Sequence, residues 1–294
     1  MIWAPFDATG PSPAKVLGCK TEKREHVPIH YEKNDEHIVL ITIDRPEVKN
    51  ALDLDHFIDL ADAWRRVAVD DDAWVVIITG VTGSFCAGGD LKTFIPQVTD
   101  LHRRMRAGEK IEQKHLTAAR SAVLRDFVLY KPVIAAVGGP CVAGGMEMLG
   151  GVDIRIATPE ATFGVMEPRR GLFAGGGTTS RLPRQLDWPA AMELLLTAEP
   201  IPAQRALELG LINEIVPGAH LLDKAFEWAK RIAVNAPLAV QATKESALRC
   251  LAAPNLDEAY AIESSISSRV FSSEDAIEGP SAFAEKRQPI WKGR

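Results

Sequence analysis

Two short glycine-rich segments, FCAGGDLK at 85–92 and CVAGGMEM at 141–148, combine small residues with a few groups capable of chemistry. Each follows an apolar run typical of a buried strand, WVVIITG at 74–80 and PVIAAV at 132–137. A strand, a glycine turn and a helix leave backbone N–H groups unpaired at the start of the helix, where they can bind an anion. If only one such loop were present, a tight turn would be the simpler interpretation. Two loops of the same shape predict a pair of backbone donors that converge on one oxygen and stabilise an anion such as an enolate.

Two glutamates lie close to these segments in the sequence. Glu147 follows Gly144 by three residues, so on a helix that begins there the two residues share a face. Its neighbours in GGMEMLGG are apolar or very small, which predicts a partly buried carboxylate with a hydrogen-bonding partner. Glu167 lies in FGVMEPRRG, between a short predicted strand and a glycine. Taken alone, each acid would more often be a solvated surface group, and Glu147 is the harder one to dismiss.

The cysteines and the known catalytic motifs point away from other chemistries. The four cysteines (Cys19, Cys86, Cys141 and Cys250) are scattered, without CxxC spacing, so we expect a reduced, cytoplasmic protein with no metal site. Cys86 and Cys141 flank the glycine loops without a nearby histidine, and we interpret them as small buried apolar residues. The patterns GxxxxGK[ST], GxSxG and HExxH are absent, and no GxGxxG follows a first strand.

The composition is that of an ordinary globular protein and excludes several classes of function. The chain has 294 residues, 46% of them hydrophobic and 25% charged, with a formal net charge of −5. This length allows one large domain or two small ones with a substantial core. The acidic balance gives no indication of a partner that is a nucleic acid or an anionic membrane. We also expect no transmembrane helix and no secretory signal.

The elements that position the candidate groups alternate between strands and helices. Residues 1–30 show no periodicity and are interpreted as a flexible N-terminal extension. Over 31–200, strands, glycine turns and helices predict an α/β core with a mostly parallel sheet. One of its helices is LDHFIDLADAWRRVA, with Asp53 as the N-cap, whereas 97–130 predicts only a loop and a helix. Residues 201–294 predict a C-terminal all-helical region.

Five segments in order carry a resemblance to a known family, the enoyl-CoA hydratases and isomerases, also called crotonases. They are IDRPEVKNALD (43–53), GSFCAGGDLK (83–92), KPVIAAVGGPCVAGGMEML (131–149), ATFGVMEPRRGLFAGGG (161–177) and EGPSAFAEKR (278–287). The resemblance covers roughly residues 36–291. It implies a crotonase-like spiral of ββα units, a C-terminal helical region that builds homotrimers or dimers of trimers, and an acyl-CoA thioester as substrate, with coenzyme A as part of that substrate and no separate cofactor.

The resemblance also implies roles for particular residues. The backbone N–H groups of Gly89 and Gly144 match the family's oxyanion hole, and Glu147 and Glu167 match the two acids of its hydratases. Retention of both acids favours an enoyl-CoA hydratase that adds water across the 2,3 double bond of a trans-2-enoyl-CoA. Positions matching the family's contacts to substrate and coenzyme A are Lys49, Ala51, Ala87, Gly88, Asp90, Leu91 and Lys286.

Two kinds of alternative to a hydratase remain, other enzymes of the same family and a protein without catalytic activity. The runner-up is an isomerase or a C–C bond hydrolase of the same family, and a different class is a catalytically silent acyl-CoA-binding subunit. Met166 stands where hydratases commonly have proline, and Arg169 and Arg170 stand where aliphatic residues are usual. These arginines either face solvent or a subunit interface, or one of them lies on the acyl-pocket wall. On the wall, Arg169 would lower the pKa of Glu167 and bind an acidic acyl group.

Overall fold

The structure is a computed structural model that describes residues 29–81 and 83–294. The predicted N-terminal extension lies outside these residues, except that Ile29 and His30 begin the first strand. The nine strands are β1 (Ile29–Lys33), β2 (Ile38–Ile43), β3 (Val75–Gly80), β4 (Val133–Val137), β5 (Pro140–Val142), β6 (Ile154–Ala157), β7 (Thr162–Gly164), β8 (Ile201–Pro202) and β9 (Glu214–Ile215) among the described residues.

The strands form two sheets. The larger has the order β1-β2-β3-β4-β6-β9, and all its pairs are parallel except β1 with β2. The smaller has the order β5-β7-β8. The helices are α1 (Leu54–Val69), α2 (Phe94–Arg106), α3 (Gln113–Ala122), α4 (Gly144–Leu149), α5 (Thr178–Gln185), α6 (Trp188–Thr197), α7 (Ala203–Glu208), α8 (Leu221–Ala233), α9 (Pro237–Cys250), α10 (Leu256–Phe271) and α11 (Asp275–Glu285). This is the expected α/β crotonase fold.

The continuous apolar runs of β2 and β3 reflect a sheet that is covered on both faces. Ile41 and Ile78 pack in one core cluster with Trp64 of α1. Their neighbours Leu40 and Ile77 pack in a second cluster that includes residues of α8. Because successive side chains of a strand point to opposite faces, a sheet buried on both sides favours apolar residues on both faces of each strand, and the exceptions Thr42 and Thr79 are buried as well.

Helix α1 begins as the sequence predicts. The side chain of Asp53 accepts hydrogen bonds from the backbone N–H groups of Asp55 and His56, at 3.0 and 3.1 Å. An aspartate at the N-cap satisfies amides that have no partner within the helix. The helix therefore starts at Leu54, directly after the segment that pairs with the first glycine loop.

The segment after β3 differs from the expectation of a loop and one helix. It contains two helices, α2 and α3, and Gly108, with φ of +84°, follows the end of α2. A positive φ favours glycine, so the chain reverses there with little strain. The sequence did not predict both helices, because the segment is largely polar and most of its residues face solvent or a cavity.

The chain after residue 200 is helical apart from two short strands that correct the expectation of an all-helical region. Strand β8 pairs with β7, and β9 pairs with β6, so both belong to the sheets of the core. Helix α8 covers one face of the larger sheet. The strands are only two residues long, too short to give a recognisable sequence pattern. No helix in the described residues is long and apolar enough to cross a membrane.

Candidate active site

The two glycine loops predicted from the sequence lie against each other. Cys86 and Cys141 form an isolated parallel bridge, and the backbone N–H of Val142 donates to the carbonyl of Cys86 at 3.1 Å. Gly88 has φ of +88°, and a Cβ built there would lie 2.7 Å from the nitrogen of Gly144. The close approach of the loops therefore requires glycine at position 88 on two grounds, its backbone conformation and the space.

The amides of Gly89 and Gly144 are left free by this arrangement. Leu52 bonds the residues on either side of Gly89, because its N–H donates to Gly88 and its carbonyl accepts from Asp90, both at 2.8 Å. Gly144 is the first residue of α4, where an N–H has no partner within the helix. In the described part of the chain neither amide has an acceptor, and both glycines line one cavity. Two such donors can stabilise negative charge that develops on a bound oxygen.

Glu147 lies one turn into α4 and faces the same cavity as Gly144. Its Oε1 accepts a short hydrogen bond from the backbone N–H of Gly176, which is the partner that the sequence required. Burial raises the pKa of Glu147 to about 7, and the nearby charge of Glu167 adds to this, while the Gly176 bond and two arginines oppose it. A carboxyl with a pKa near neutrality can either hold or release a proton at physiological pH.

Glu167 opens a short 3-10 helix, Glu167–Arg170, and lines the same cavity as Glu147. Its Oε2 is buried and has no hydrogen-bond partner among the described residues. Burial raises its pKa above the ordinary value, although the backbone near Met166 and Glu167 partly offsets this. Two carboxyls with raised pKa values in one cavity are typical of proton-transfer sites.

The cavity that these groups share has a volume of about 680 Å³. Helices α1, α2 and α3 and the segment after Glu167 supply most of its apolar wall. The apolar side chains are Leu54, Phe57, Leu91, Phe94, Ile95, Val98, Leu101, Leu116, Val123, Val142, Met166, Leu172 and Phe173. The segment 93–130, which has no readable motif, therefore forms much of this wall, and its volume suits a small molecule with an apolar portion.

Four of the predicted contacts to substrate and coenzyme A lie at the cavity or beside it. Ala87 and Leu91 line the cavity next to Gly89. Ala51 and Asp90 lie beside it and are held by Arg45, whose Nη1 donates to the Ala51 carbonyl at 2.8 Å and to the Asp90 carboxylate at 3.2 Å. Arg45 lies in the first family segment, but its sequence position gave no sign of this role.

Lys49 and Lys286 lie outside the cavity wall. Both are exposed and have left-handed backbone conformations, with φ of 55° and 56°. The carbonyl of Lys49 accepts from the N–H of Ala87 at 3.1 Å, so its backbone supports the first glycine loop. Lys286 follows the last residue of α11. A contact between either lysine and coenzyme A stays a prediction.

The two arginines after Glu167 have different surroundings, and for Arg169 the surface alternative is correct and a place on the acyl-pocket wall is wrong. Its Nη2 donates to Glu199 at 2.9 Å, and it does not line the cavity. Arg170 does line the cavity. The pKa of Glu167 is raised by burial rather than lowered by an arginine. The residue of the pair that faces the site is therefore the one farther from Glu167 in the sequence.

A further arginine, Arg181, connects the site to its surroundings and was missed in the sequence. It donates from Nη1 to the carbonyls of Val123 and Glu147, at 3.0 and 3.3 Å. It thereby joins α5, the end of α3 and the helix that carries the acid. A half-buried arginine bound to backbone carbonyls has no spacing pattern by which it could be recognised.

The two cysteines near the loops are buried, as expected. Burial raises the pKa of Cys86 to about 12 and raises the pKa of Cys141 as well. A thiol in this state is not a nucleophile at neutral pH. The Sγ of Cys86 instead accepts a hydrogen bond from the backbone N–H of Gly88 at 3.4 Å, which stabilises the first glycine loop.

Comparison with known proteins assigns the family. The family model described as enoyl-CoA hydratase/isomerase matches residues 33–294. The chain belongs to this family. Its crotonase fold, the paired glycine loops and the shared cavity agree with that membership, which implies an acyl-CoA substrate.

Named relatives of the chain include hydratases and dehydratases of CoA thioesters. The chain is 41% identical over 259 residues to enoyl-CoA hydratase EchA19 of Mycobacterium tuberculosis, covering 88% of this chain and 94% of the relative. It is 36% identical over 259 residues to (E)-benzylidenesuccinyl-CoA hydratase of Thauera aromatica, covering 87% and 96%. A crystal structure of an enoyl-CoA hydratase from M. tuberculosis H37Rv superposes with a TM-score of 0.78 at 39% identity, covering 91% and 99%. This crotonase-family enzyme is thus similar to hydro-lyases of CoA thioesters.

Proposed function

We propose that this protein is an enoyl-CoA hydratase that adds water across the 2,3 double bond of a trans-2-enoyl-CoA. The observation that carries the proposal is that Glu147 and Glu167 line the same cavity as the free amides of Gly89 and Gly144. A hydration needs one group to accept a proton from water, another to deliver a proton to carbon, and a site for negative charge. These four residues supply all three requirements.

The reaction can be written on these groups. The thioester oxygen accepts hydrogen bonds from the amides of Gly89 and Gly144, which polarises the conjugated double bond. A water held between Glu147 and Glu167 gives its oxygen to C3 and a proton to the ionised carboxylate. Charge moves to the thioester oxygen as an enolate, and the protonated carboxyl then delivers its proton to C2. One water is consumed, and one carboxyl remains protonated at the end, as at the start.

The raised pKa values support this use of the two acids. A pair with one proton between them needs at least one carboxyl that remains protonated near neutral pH. Glu147, with a pKa of about 7, meets that requirement, and the charge of Glu167 contributes to the shift. The first proton leaves the pair at lower pH than the second, so the pair titrates in two steps.

The test is to incubate the protein with trans-2-enoyl-CoAs of increasing chain length and follow the absorbance of the conjugated thioester. Hydration predicts loss of this absorbance and a product heavier by one water in mass spectrometry. A product of unchanged mass with a shifted double bond would indicate an isomerase. Binding of the thioesters without any product would indicate a silent subunit, and binding of none would overturn the proposal.

We further propose that the C-terminal helical region, residues 201–294, builds a homotrimer or a dimer of trimers, and that Lys49 and Lys286 contact coenzyme A. The proposed assembly is supported by large apolar side chains exposed on these helices, such as Phe271, which is 80% exposed, and Phe283, which is 87% exposed. Exposed apolar groups of this size are typical of interaction surfaces. Light scattering coupled to size-exclusion chromatography measures the assembly directly, and a monomer would contradict it. A cytoplasmic location stays a prediction.

A further inference from the structure

The short helix Glu167–Arg170 carries two ionisable side chains to the cavity. In a 3-10 helix residues three apart lie on the same side, and the rise of roughly 2.0 Å per residue separates them by about 6 Å along the axis. Glu167 and Arg170 are such a pair, and both line the cavity. Arg169, between them, projects elsewhere and pairs with Glu199. The helix therefore places one guanidinium at the wall of the cavity, one turn beyond the proposed catalytic acid.

The charges around the cavity are unevenly distributed. Apart from Glu147 and Glu167, every ionisable side chain in the described wall is basic. These side chains are His102, His115, Arg120 and Arg170. No acid other than the proposed catalytic pair lies in the described wall, and Asp126, which pairs with Arg120, lies outside it.

Arg170 differs from the other arginine of the wall. Arg120 has its Nε 2.6 Å from Oδ2 of Asp126, so its charge is already compensated. Arg170 has neither an ion pair nor a side-chain hydrogen bond to any described residue. Arg170 also does not lower the pKa of Glu167, since burial keeps that pKa above its ordinary value. Its five N–H donors remain available to a ligand in the cavity.

We infer that the substrate of this site is an enoyl-CoA whose acyl chain ends in a carboxylate, which Arg170 binds. The inference rests on the proposed function and deepens it. A guanidinium matches a carboxylate with two parallel hydrogen bonds, whereas a plain alkyl chain offers no acceptor to the exposed guanidinium of Arg170. A six-carbon dicarboxylic chain is a simple probe of this class, because its distal carboxylate lies beyond C3 and esterification removes the distal charge alone.

Binding tests this without requiring turnover. Calorimetry would measure the Kd of adipoyl-CoA and of its distal methyl ester, which has the same coenzyme and chain length but no distal charge. We expect wild-type protein to prefer the free acid by roughly 10-fold or more, as for a charged hydrogen-bonded pair. Arg170→Gln should bring the ratio of the two Kd values close to one, and higher ionic strength should reduce it in the wild type.

Arg169→Gln is the matched control, because it removes the same charge one residue away from a position outside the cavity. It should keep the wild-type ratio. A ratio that stays unchanged in Arg170→Gln would overturn the inference. If both Kd values rise by the same factor, Arg170 contacts the coenzyme A portion that the two ligands share. A ratio of one in the wild type would overturn it as well.

Turnover separates this inference from the proposed function. Wild-type protein would be assayed on trans-2-hexenoyl-CoA, on trans-2-hexenedioyl-CoA and on the distal methyl ester of the latter. Hydration of all three with equal kcat/KM would leave the hydratase proposal intact and sink the preference for acids. Hydration of none, together with a Kd that depends on Arg170, would sustain the acid-binding site and reject hydration.

Discussion

The backbone N–H of Gly176 donates a short hydrogen bond to Oε1 of Glu147, and a Cβ built on Gly176 would lie 2.1 Å from Oε2 of the same carboxylate. The glycine run at residues 175–177 therefore packs against the acid that follows the second glycine loop. One amide both orients the carboxylate and limits how far burial raises its pKa.

Gly176→Ala should displace this carboxylate, because a real Cβ contact is never that short. We expect kcat for hydration to fall by on the order of 10²-fold, the cost of misplacing a positioned acid or base. Gly175→Ala is the control, since a Cβ there meets nothing closer than 3.8 Å. Equal kcat values for the two variants would show that the position of Glu147 does not limit the rate.

Glu147→Gln and Glu167→Gln should each lower kcat by roughly 10²- to 10⁴-fold, the range for loss of a positioned acid or base. The Kd of a saturated acyl-CoA should change little, because neither acid is expected to hold the coenzyme. Glu199→Gln, on the surface beside Arg169, should retain wild-type kinetics. Near-normal turnover at either cavity position would remove that acid from the mechanism.

Much of this site follows from local sequence, and the remainder depends on long-range packing. The spacing from Gly144 to Glu147 predicts a shared face because a helix repeats every few residues, and the glycine pairs predict free amides for the same local reason. The contact of Gly176 with Glu147 joins residues 29 positions apart, so no periodicity reports it.

The same distinction explains the other differences. Helices α2 and α3 are polar on most sides, and strands β8 and β9 are too short to show alternation. The sequence of MEPRRG shows two adjacent arginines but not which one faces the cavity. Only the 3-10 geometry, with its period of three residues, selects Arg170.

Gly88→Ala should separate the two loops, because its Cβ would lie 2.7 Å from the Gly144 nitrogen in a backbone conformation with φ of +88°. We expect a loss of about 10²- to 10³-fold in kcat from a displaced oxyanion donor. Gly138→Ala is the control at the end of β4, where the nearest atom would be 3.5 Å away. Thermal melting of both variants separates misfolding from loss of rate. A folded Gly88→Ala protein with full activity would be incompatible with donors that converge as proposed.

Lys49→Glu should weaken binding of free coenzyme A while leaving kcat at saturating substrate nearly intact, because Lys49 lies outside the cavity wall. The effect should be largest at low ionic strength, where a surface charge is least screened. Lys110→Glu, an exposed reversal between α2 and α3, controls for the change in net charge. If the two variants have the same Kd at low salt, Lys49 is only a solvated surface residue.

The stability of the protein should depend on pH through Glu147. Burial raises the pKa of this carboxyl from 4.5 to about 7, so folding favours its protonated form. That contribution to the free energy of unfolding is fully present below the pKa of the unfolded chain and is lost as the pH rises through about 7.

Glu147→Gln keeps an oxygen for the Gly176 amide but cannot ionise. It should therefore leave stability little changed at acidic pH and increase it by up to about 3 kcal/mol at alkaline pH. Urea unfolding at a pH well below and a pH well above 7 measures the difference, with Glu199→Gln as the exposed control. A gain of the same size at both pH values would mean that Glu147 is not held in a site that disfavours its charge.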